Sequence, residues 1–85
     1  MWTGVQWSST IPAGGTQLWF TWGWPADWHV LWYLMATSPQ PGAPELGWEV
    51  AVERANQTEC TYWITVRNLT ANQVSFEGRF AVLST

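Results

Sequence analysis

LWFTWGWPADWHVLWYLM, residues 18 to 35, contains five of the nine tryptophans of this 85-residue chain and a single formal charge, Asp27. Large apolar residues occupy every second position from 17 to 24, which is typical of a β-strand with one face on a core. The other parity, which includes Trp19 and Thr21, is predicted to face outward. The larger apolar parity is predicted to face inward: Leu18, Phe20, Trp22 and Trp24.

A turn and a second strand complete this stretch. Pro25 fixes φ and the side chain of Asp27 can cap a turn, so residues 25–27 are predicted to reverse the chain. Residues 28–37 alternate again, and β-branched and aromatic side chains favour a strand over a helix at 28–36, although short apolar runs fit both. Both faces of this strand are apolar: Trp28, Val30, Trp32, Leu34 and Ala36 are predicted inward, and Leu31, Tyr33 and Met35 outward.

The remaining sequence predicts four more strands, at 2–9, 46–54, 59–68 and 74–83, separated by turn residues. The segment 38–44 contains three prolines and is therefore a connector rather than a strand. Trp48 and Ile64 are predicted to be buried, because both lie on inward parities. Six short antiparallel strands without helices indicate an all-β fold, a small sandwich or barrel, with residues 1–85 forming one domain.

Composition excludes several classes of function. The net charge is −3, there is no lysine, and the three cations are Arg54, Arg67 and Arg79, so a basic surface for nucleic acid or anionic lipid is not expected. One cysteine and one histidine provide no internal disulfide and no metal site, and no cofactor is expected. The first ten residues lack a basic and apolar leader, which predicts a cytoplasmic protein, with release by a non-classical route left open.

Catalytic groups are not visible in the sequence. His29 and Cys60 have no third group that would orient a nucleophile and its base. Glu49 and Glu53 share one strand face about 13 Å apart, further than the roughly 5–9.5 Å that separates glycosidase carboxylates. Cys60 lies on an inward parity, as expected for a small buried apolar side chain. The sequence therefore predicts that the protein is not an enzyme.

The tryptophans on outward parities indicate a binding surface, because indoles combine a large apolar area with one polar donor. Trp2, Trp19 and Trp63 are expected to be partly exposed. A small lectin-like protein that binds carbohydrate is the favoured hypothesis, and a structural homo-oligomer or a membrane-active protein are the alternatives. The residues predicted to contact the ligand are Trp19, Asp27, Trp28, His29, Trp63, Arg67, Glu77 and Arg79. For Arg67, Glu77 and Arg79 the alternative interpretation is a cross-strand ion pair.

The sequence also predicts self-association. Residues 1–44 carry seven tryptophans and one charge, and a solvated surface rarely has so few charges. Exposed apolar patches larger than a few hundred Å² mark interaction sites. Leu31, Tyr33 and Met35 are predicted to lie in the interface of a homo-oligomer, since the strand that carries them is apolar on both faces.

Overall fold

Six antiparallel strands in two three-stranded sheets form a β-sandwich in the computed structural model, which describes all of residues 1–85. The first sheet has the order β1-β6-β3 and the second the order β2-β5-β4. The all-β prediction is confirmed, and residues 29–36 form a strand rather than a helix, with Trp28 in the turn before it. The strands are β1 Trp2–Ile11, β2 Thr16–Pro25, β3 His29–Ala36, β4 Leu46–Arg54, β5 Glu59–Asn68 and β6 Val74–Ser84.

Most connections cross between the sheets, and only β4 and β5 form a hairpin of adjacent strands. Asn56 closes that hairpin, because its side-chain oxygen accepts hydrogen bonds from the backbone N–H groups of Thr58 and Glu59, both at 2.9 Å. Asn68 does the same for the β5–β6 loop and is buried. Its amide nitrogen also donates to the carbonyl of Ile11 at 3.1 Å, which ties the end of β1 to that loop.

The core lies between the sheets and is built mainly from β3, β5 and β6. Buried side chains alternate with exposed ones along these strands, as the period of two predicts. Trp32, Tyr62 and Phe80 form an aromatic cluster there with Trp24, whose ring centroid lies 5.2 Å from that of Trp32. The inward parities of these three strands are confirmed. The central cluster consists of Ile11, Trp32, Leu34, Ile64, Val66, Val74 and Phe76.

The predicted orientation of β2 is wrong for most of the strand. Leu18, Phe20 and Trp22 are exposed, whereas Thr21 is buried and Trp19 faces the core. The β2–β5 pairing shifts register between Thr21 and Trp24, and Gly23 adopts a φ of 79°. The shift adds a residue to one strand, so Trp24 faces inward although it shares a parity with Trp22.

The predicted burial of Trp48 is also wrong, because β4 is an edge strand with little opposite its inner face. Leu46 packs against the core, but Trp48 is 39%, Val50 43% and Val52 67% exposed. The predicted burial of Ile64, on the neighbouring strand β5, is confirmed. The sandwich is therefore closed at its centre and open along β4.

A second irregularity lies in β1, whose pairing with β6 shifts register between Val5 and Trp7. Val5 lies on the outer face opposite Arg79, whereas Trp7 turns inward and packs against the core. The indole of Trp7 lies directly over Gly78, where no side chain is in the way. The two irregular strands β1 and β2 are edge strands of different sheets, and together they border the site described next.

Candidate functional site

A cleft of about 170 Å³ opens along the side of the sandwich where β1 and β2 run as edge strands. We call it the indole cleft, because three of its lining residues are tryptophans. Its inner wall is Trp7 and Trp19, whose ring centroids are 5.7 Å apart. The full lining is Gln6, Trp7, Trp19, Phe20, Thr21, Trp22 and Ile64.

The register shift in β1 turns Trp7 inward, where it meets Trp19 of β2. Residues 18–22 of β2 alternate regularly, with Phe20 and Trp22 on the outer face and Trp19 and Thr21 inside. The register shift that follows Thr21 occurs at the lip of the cleft, where Trp22 is 72% exposed. Trp22 therefore presents an uncovered indole beside an enclosed pair of indoles, Trp7 and Trp19.

The cleft contains hydrogen-bonding groups but no ionisable side chain. Gln6 Nε2 donates to Thr21 Oγ1 at 3.2 Å, and Trp24 Nε1 donates to the same oxygen at 3.0 Å. The indole nitrogens of Trp7, Trp19 and the core residue Trp32 are buried and have no hydrogen-bond partner. The polar side chains that line the cleft are those of Gln6 and Thr21.

An aromatic row continues from the lip of the cleft across the outer face of the second sheet. Phe20 stacks on Trp63 with centroids 5.0 Å apart, and Trp22 lies 5.8 Å from Phe20 on the other side. The indole N–H of Trp63 donates to Glu53 Oε1 at 2.9 Å. Aromatic rings beside a carboxylate thus continue the apolar surface beyond the cleft.

The residues predicted to contact ligand are distributed over four places. Trp19 is partly exposed, as predicted, but its predicted outward direction is wrong. It lies on the inward parity of β2 with Thr21 and lines the indole cleft. Trp63 is partly exposed in the aromatic row, as predicted. Arg67 lies on the same outer face and pairs with Glu49 at 3.2 Å. Only Trp19 belongs to the cleft itself.

The predicted rim around the β2–β3 turn is a separate place. Asp27 is exposed beside Arg54 in a shallow depression. His29 Nδ1 lies 2.6 Å from the hydroxyl of Ser84. The Trp28 indole meets that of Trp2 edge to face at 5.2 Å. These contacts hold the end of the sandwich together and leave the turn away from the cleft.

Glu77 and Arg79 occupy the outer face of the first sheet, on the opposite side of the molecule from Arg67. The Arg79 guanidinium pairs with Glu77 at 2.8 Å and lies 5.8 Å from the Tyr33 ring centroid. The hydrogen bond to Glu77, and to a smaller extent that to Tyr33, raises the pKa of Arg79. The cross-strand ion pair predicted among Arg67, Glu77 and Arg79 is wrong, because β5 and β6 belong to different sheets. Glu77 and Arg79 pair within β6, and Arg67 pairs with Glu49 of β4.

The predicted interface residues lie on that same outer face. Leu31 and Met35 are exposed there, and Tyr33 is half-buried beneath Arg79. In register, Tyr33 is opposite Arg79 and Met35 opposite Glu77. The apolar side chains of this face are therefore interrupted by an ion pair.

Sequence reasoning missed Gln6, Trp7, Phe20 and Trp22 as site residues. The first two lie where β1 changes register, and no residue pattern marks that position. The sequence predicts Phe20 and Trp22 in the core, because they lie on the more apolar parity of β2. The available signal was Gly23, since a glycine inside a strand often marks a bulge that reverses the facing of the residues around it.

Comparisons with protein-family models, curated proteins and solved structures gave no match for this chain. No helix long and apolar enough to cross a membrane is present. No group of three or more histidine, cysteine or acidic side chains is arranged to hold a metal ion. Cys60 is a buried free thiol, away from the residues that line the cleft. The geometry of the indole cleft is therefore the main guide to function.

Proposed function

We propose that the protein is a non-enzymatic binding module that accepts a neutral carbohydrate ring in the indole cleft. The observation that carries the proposal is the exposed indole of Trp22 at the lip of an uncharged aromatic cleft. The negative π face of an indole attracts the C–H groups of a sugar ring. The side chains of Gln6 and Thr21 in the lining can exchange hydrogen bonds with sugar hydroxyls.

Size and charge narrow the class of carbohydrate. The cleft volume of about 170 Å³ is below the roughly 300–1,000 Å³ of pockets that enclose drug-sized ligands. It suits one ring, either a monosaccharide or the end of a chain. The lining holds no charged residue, so an acidic sugar would lose hydration without gaining an ion pair. Gln6 and Thr21 supply the polar groups that distinguish hydroxyl positions.

The test is a glycan array that presents neutral and acidic sugars, followed by titration of the best neutral sugar with tryptophan fluorescence as readout. We expect binding by the parent protein and a shift in emission. Trp22→Ala should weaken binding at least tenfold while leaving thermal stability nearly unchanged, since Trp22 is 72% exposed.

Trp2→Ala is the matched control, because Trp2 is also an exposed indole but lies outside the cleft lining. It should bind the sugar like the parent. Equal loss of binding in both variants would show that the contact is not specific to the cleft. An array with no neutral binder and no fluorescence change would refute the proposal and favour the structural alternative, in which exposed aromatic residues serve only assembly.

A further inference from the structure

Strand β4 is open to solvent in two respects. Its inner-face side chains Trp48, Val50 and Val52 are exposed, although they point to the side where the core lies. It also pairs with β5 alone, so half of its backbone groups have no partner in the sheet. Exposed apolar side chains on an unpaired strand edge are the usual template for pairing with another strand.

The hydrogen bonds at the two ends of β4 identify the free backbone groups. Leu69 N donates to the Glu45 carbonyl at 2.9 Å, and Ala55 N donates to the Glu59 carbonyl at 3.0 Å. In an antiparallel pair such bonds recur at every second residue, so the odd-numbered residues of β4 face β5. The even-numbered residues, from Leu46 to Arg54, direct their N–H and C=O groups to the free edge.

We propose that β4 pairs antiparallel with β4 of a second copy of this chain, with the two-fold axis passing through Val50. For these groups to bond, even-numbered residues must lie opposite even-numbered residues of the second copy. The two-fold axis must then pass between the two copies of one residue, rather than between successive residues. Val50 is the midpoint of Leu46–Arg54. An axis there pairs the whole strand, with Trp48 opposite Val52 of the second copy, and uses every free backbone group along the edge.

Charge selects the same register. With the axis at Val50, Glu49 lies opposite Ala51 of the second copy and Glu53 opposite Gly47. With the axis at Ala51, Glu49 would lie opposite Glu53, and with the axis at Glu49 the two copies of Glu49 would meet. Directly opposed like charges are destabilising. In the favoured register both carboxylates keep their own partners, Arg67 and Trp63.

The outer face of the first sheet is a weaker candidate for the same role. Leu31 and Met35 are exposed there, but the Glu77–Arg79 pair lies beside them. Covering that face would remove a solvated ion pair from water, which is costly. Pairing at β4 covers apolar side chains and satisfies backbone groups without burying a charge.

Such a dimer has one continuous sheet with the order β2-β5-β4-β4-β5-β2. The two indole cleft edges, at β2, then lie at its opposite ends, five strand spacings or about 24 Å apart. Both aromatic rows face the same side. The dimer would present two ligand sites in a fixed arrangement, which increases avidity for a repeated ligand. The dimer itself requires no ligand and stands independently of the carbohydrate proposal.

Sedimentation of the protein without ligand at micromolar concentration is the first test. We expect a mass twice the 9.7 kDa of one chain. Val50→Pro should give a folded monomer, because the N–H of Val50 faces the free edge and proline is tolerated there. Circular dichroism checks its fold. A parent mass of 9.7 kDa, or a Val50→Pro variant that remains dimeric, overturns the proposal, and so does a monomer produced by Tyr33→Glu alone.

Disulfide trapping tests the register. The two copies of residue 50 would have Cα atoms about 5.5 Å apart, within the disulfide range, so Val50→Cys should form a cross-linked dimer under oxidising conditions. Val52→Cys and Ala51→Cys are matched controls on the same strand and should remain uncross-linked. The native thiol Cys60 is buried and is retained throughout. Cross-linking at 51 or 52 in preference to 50 contradicts the axis at Val50.

Discussion

Gly78 lies beneath the indole of Trp7, and a Cβ atom at this position would overlap that ring. A methyl group forced into a packed core typically costs about 1–3 kcal/mol. We therefore expect Gly78→Ala to lower the free energy of unfolding by that amount, measured by urea denaturation. Because Trp7 forms a wall of the indole cleft, the proposed binding of sugar should weaken as well.

Gly47→Ala is the matched control, since Gly47 is also a strand glycine but its added Cβ would meet only Leu69, at 3.6 Å. That distance is ordinary van der Waals contact, so the change in stability should stay within about 0.5 kcal/mol. Equal effects of the two substitutions would mean that Trp7 does not rest on Gly78.

Tyr62 gives a pH-dependent prediction. Burial, followed by the neighbouring Cys60 thiol, raises the pKa of Tyr62 to about 12 from the usual 10.0. The unfolded chain therefore loses this proton more readily than the folded chain. The stabilising contribution is complete below pH 10 and is lost as pH rises towards 12. Stability of the parent should fall in that window.

Tyr62→Phe isolates this effect because it removes the titrating group and keeps the ring. The difference in unfolding free energy between parent and variant should shift in favour of the variant between pH 9 and pH 12. Urea denaturation at both ends of the window measures it. A difference that stays constant with pH would assign the alkaline loss of stability to another group.

At the level of the strand, the sequence predicts the existence of each element better than its orientation. For β3, β5 and β6, period-two alternation identifies the inward face correctly, because one face is covered throughout. The register shifts with β1 and β2 add their extra residues to those edge strands, and the β3–β6 shift lies at the start of β3. For β2 alternation fails. Burial follows Thr21 rather than Trp22, and only Gly23, with its positive φ, marks the register shift. Alternation gives the two faces but does not say which is covered.

For β4 the predicted burial of the inward face is wrong for a different reason. Its alternation is regular, with Trp48, Val50 and Val52 on the inward parity, but nothing in one chain covers that parity. Alternation in the sequence shows that one face of a strand is apolar. It does not show whether the same chain covers that face. The cleft is only partly predictable from the sequence. Trp19 is predicted as a ligand contact, although its predicted direction is wrong. The other lining residues come together only through the packing of the edge strands β1 and β2.

Because Trp48 is exposed, truncating it should lower the free energy of unfolding less than truncating a buried tryptophan. Trp32 is 7% exposed, so Trp32→Ala should cost about 3–5 kcal/mol, as for aromatic residues in packed cores. Trp48→Ala should cost less than about 2 kcal/mol when measured in the Val50→Pro background, where β4 has no partner strand. Equal losses would place Trp48 in the core of the single chain.

For the whole molecule, the amount of surface is ordinary but its character is not. The accessible area is 5282 Å², close to the about 5,100 Å² expected for a monomer of this mass. Yet thirteen large hydrophobic residues are exposed and only nine apolar residues are buried. The molecule is elongated, with principal-axis extents of 42 × 23 × 17 Å. The excess apolar area is concentrated on edge strands, where a second chain can cover it.

If association covers this surface, thermal stability must depend on protein concentration, because the folded dimer is favoured by mass action. With an unfolding enthalpy of about 0.7 kcal/mol per residue over both chains, Tm should rise by about 4 °C for each tenfold increase in concentration. Scanning calorimetry or circular dichroism over a hundredfold range of concentration measures this shift.

The Val50→Pro variant is the control, because it keeps the core of each chain and removes the pairing at β4. Its Tm should be lower than that of the parent and should not change with concentration. A concentration dependence equal in parent and variant would locate the association on another surface, such as the face with Leu31 and Met35. A Tm independent of concentration in both would mean that one chain is stable with its apolar edges in water.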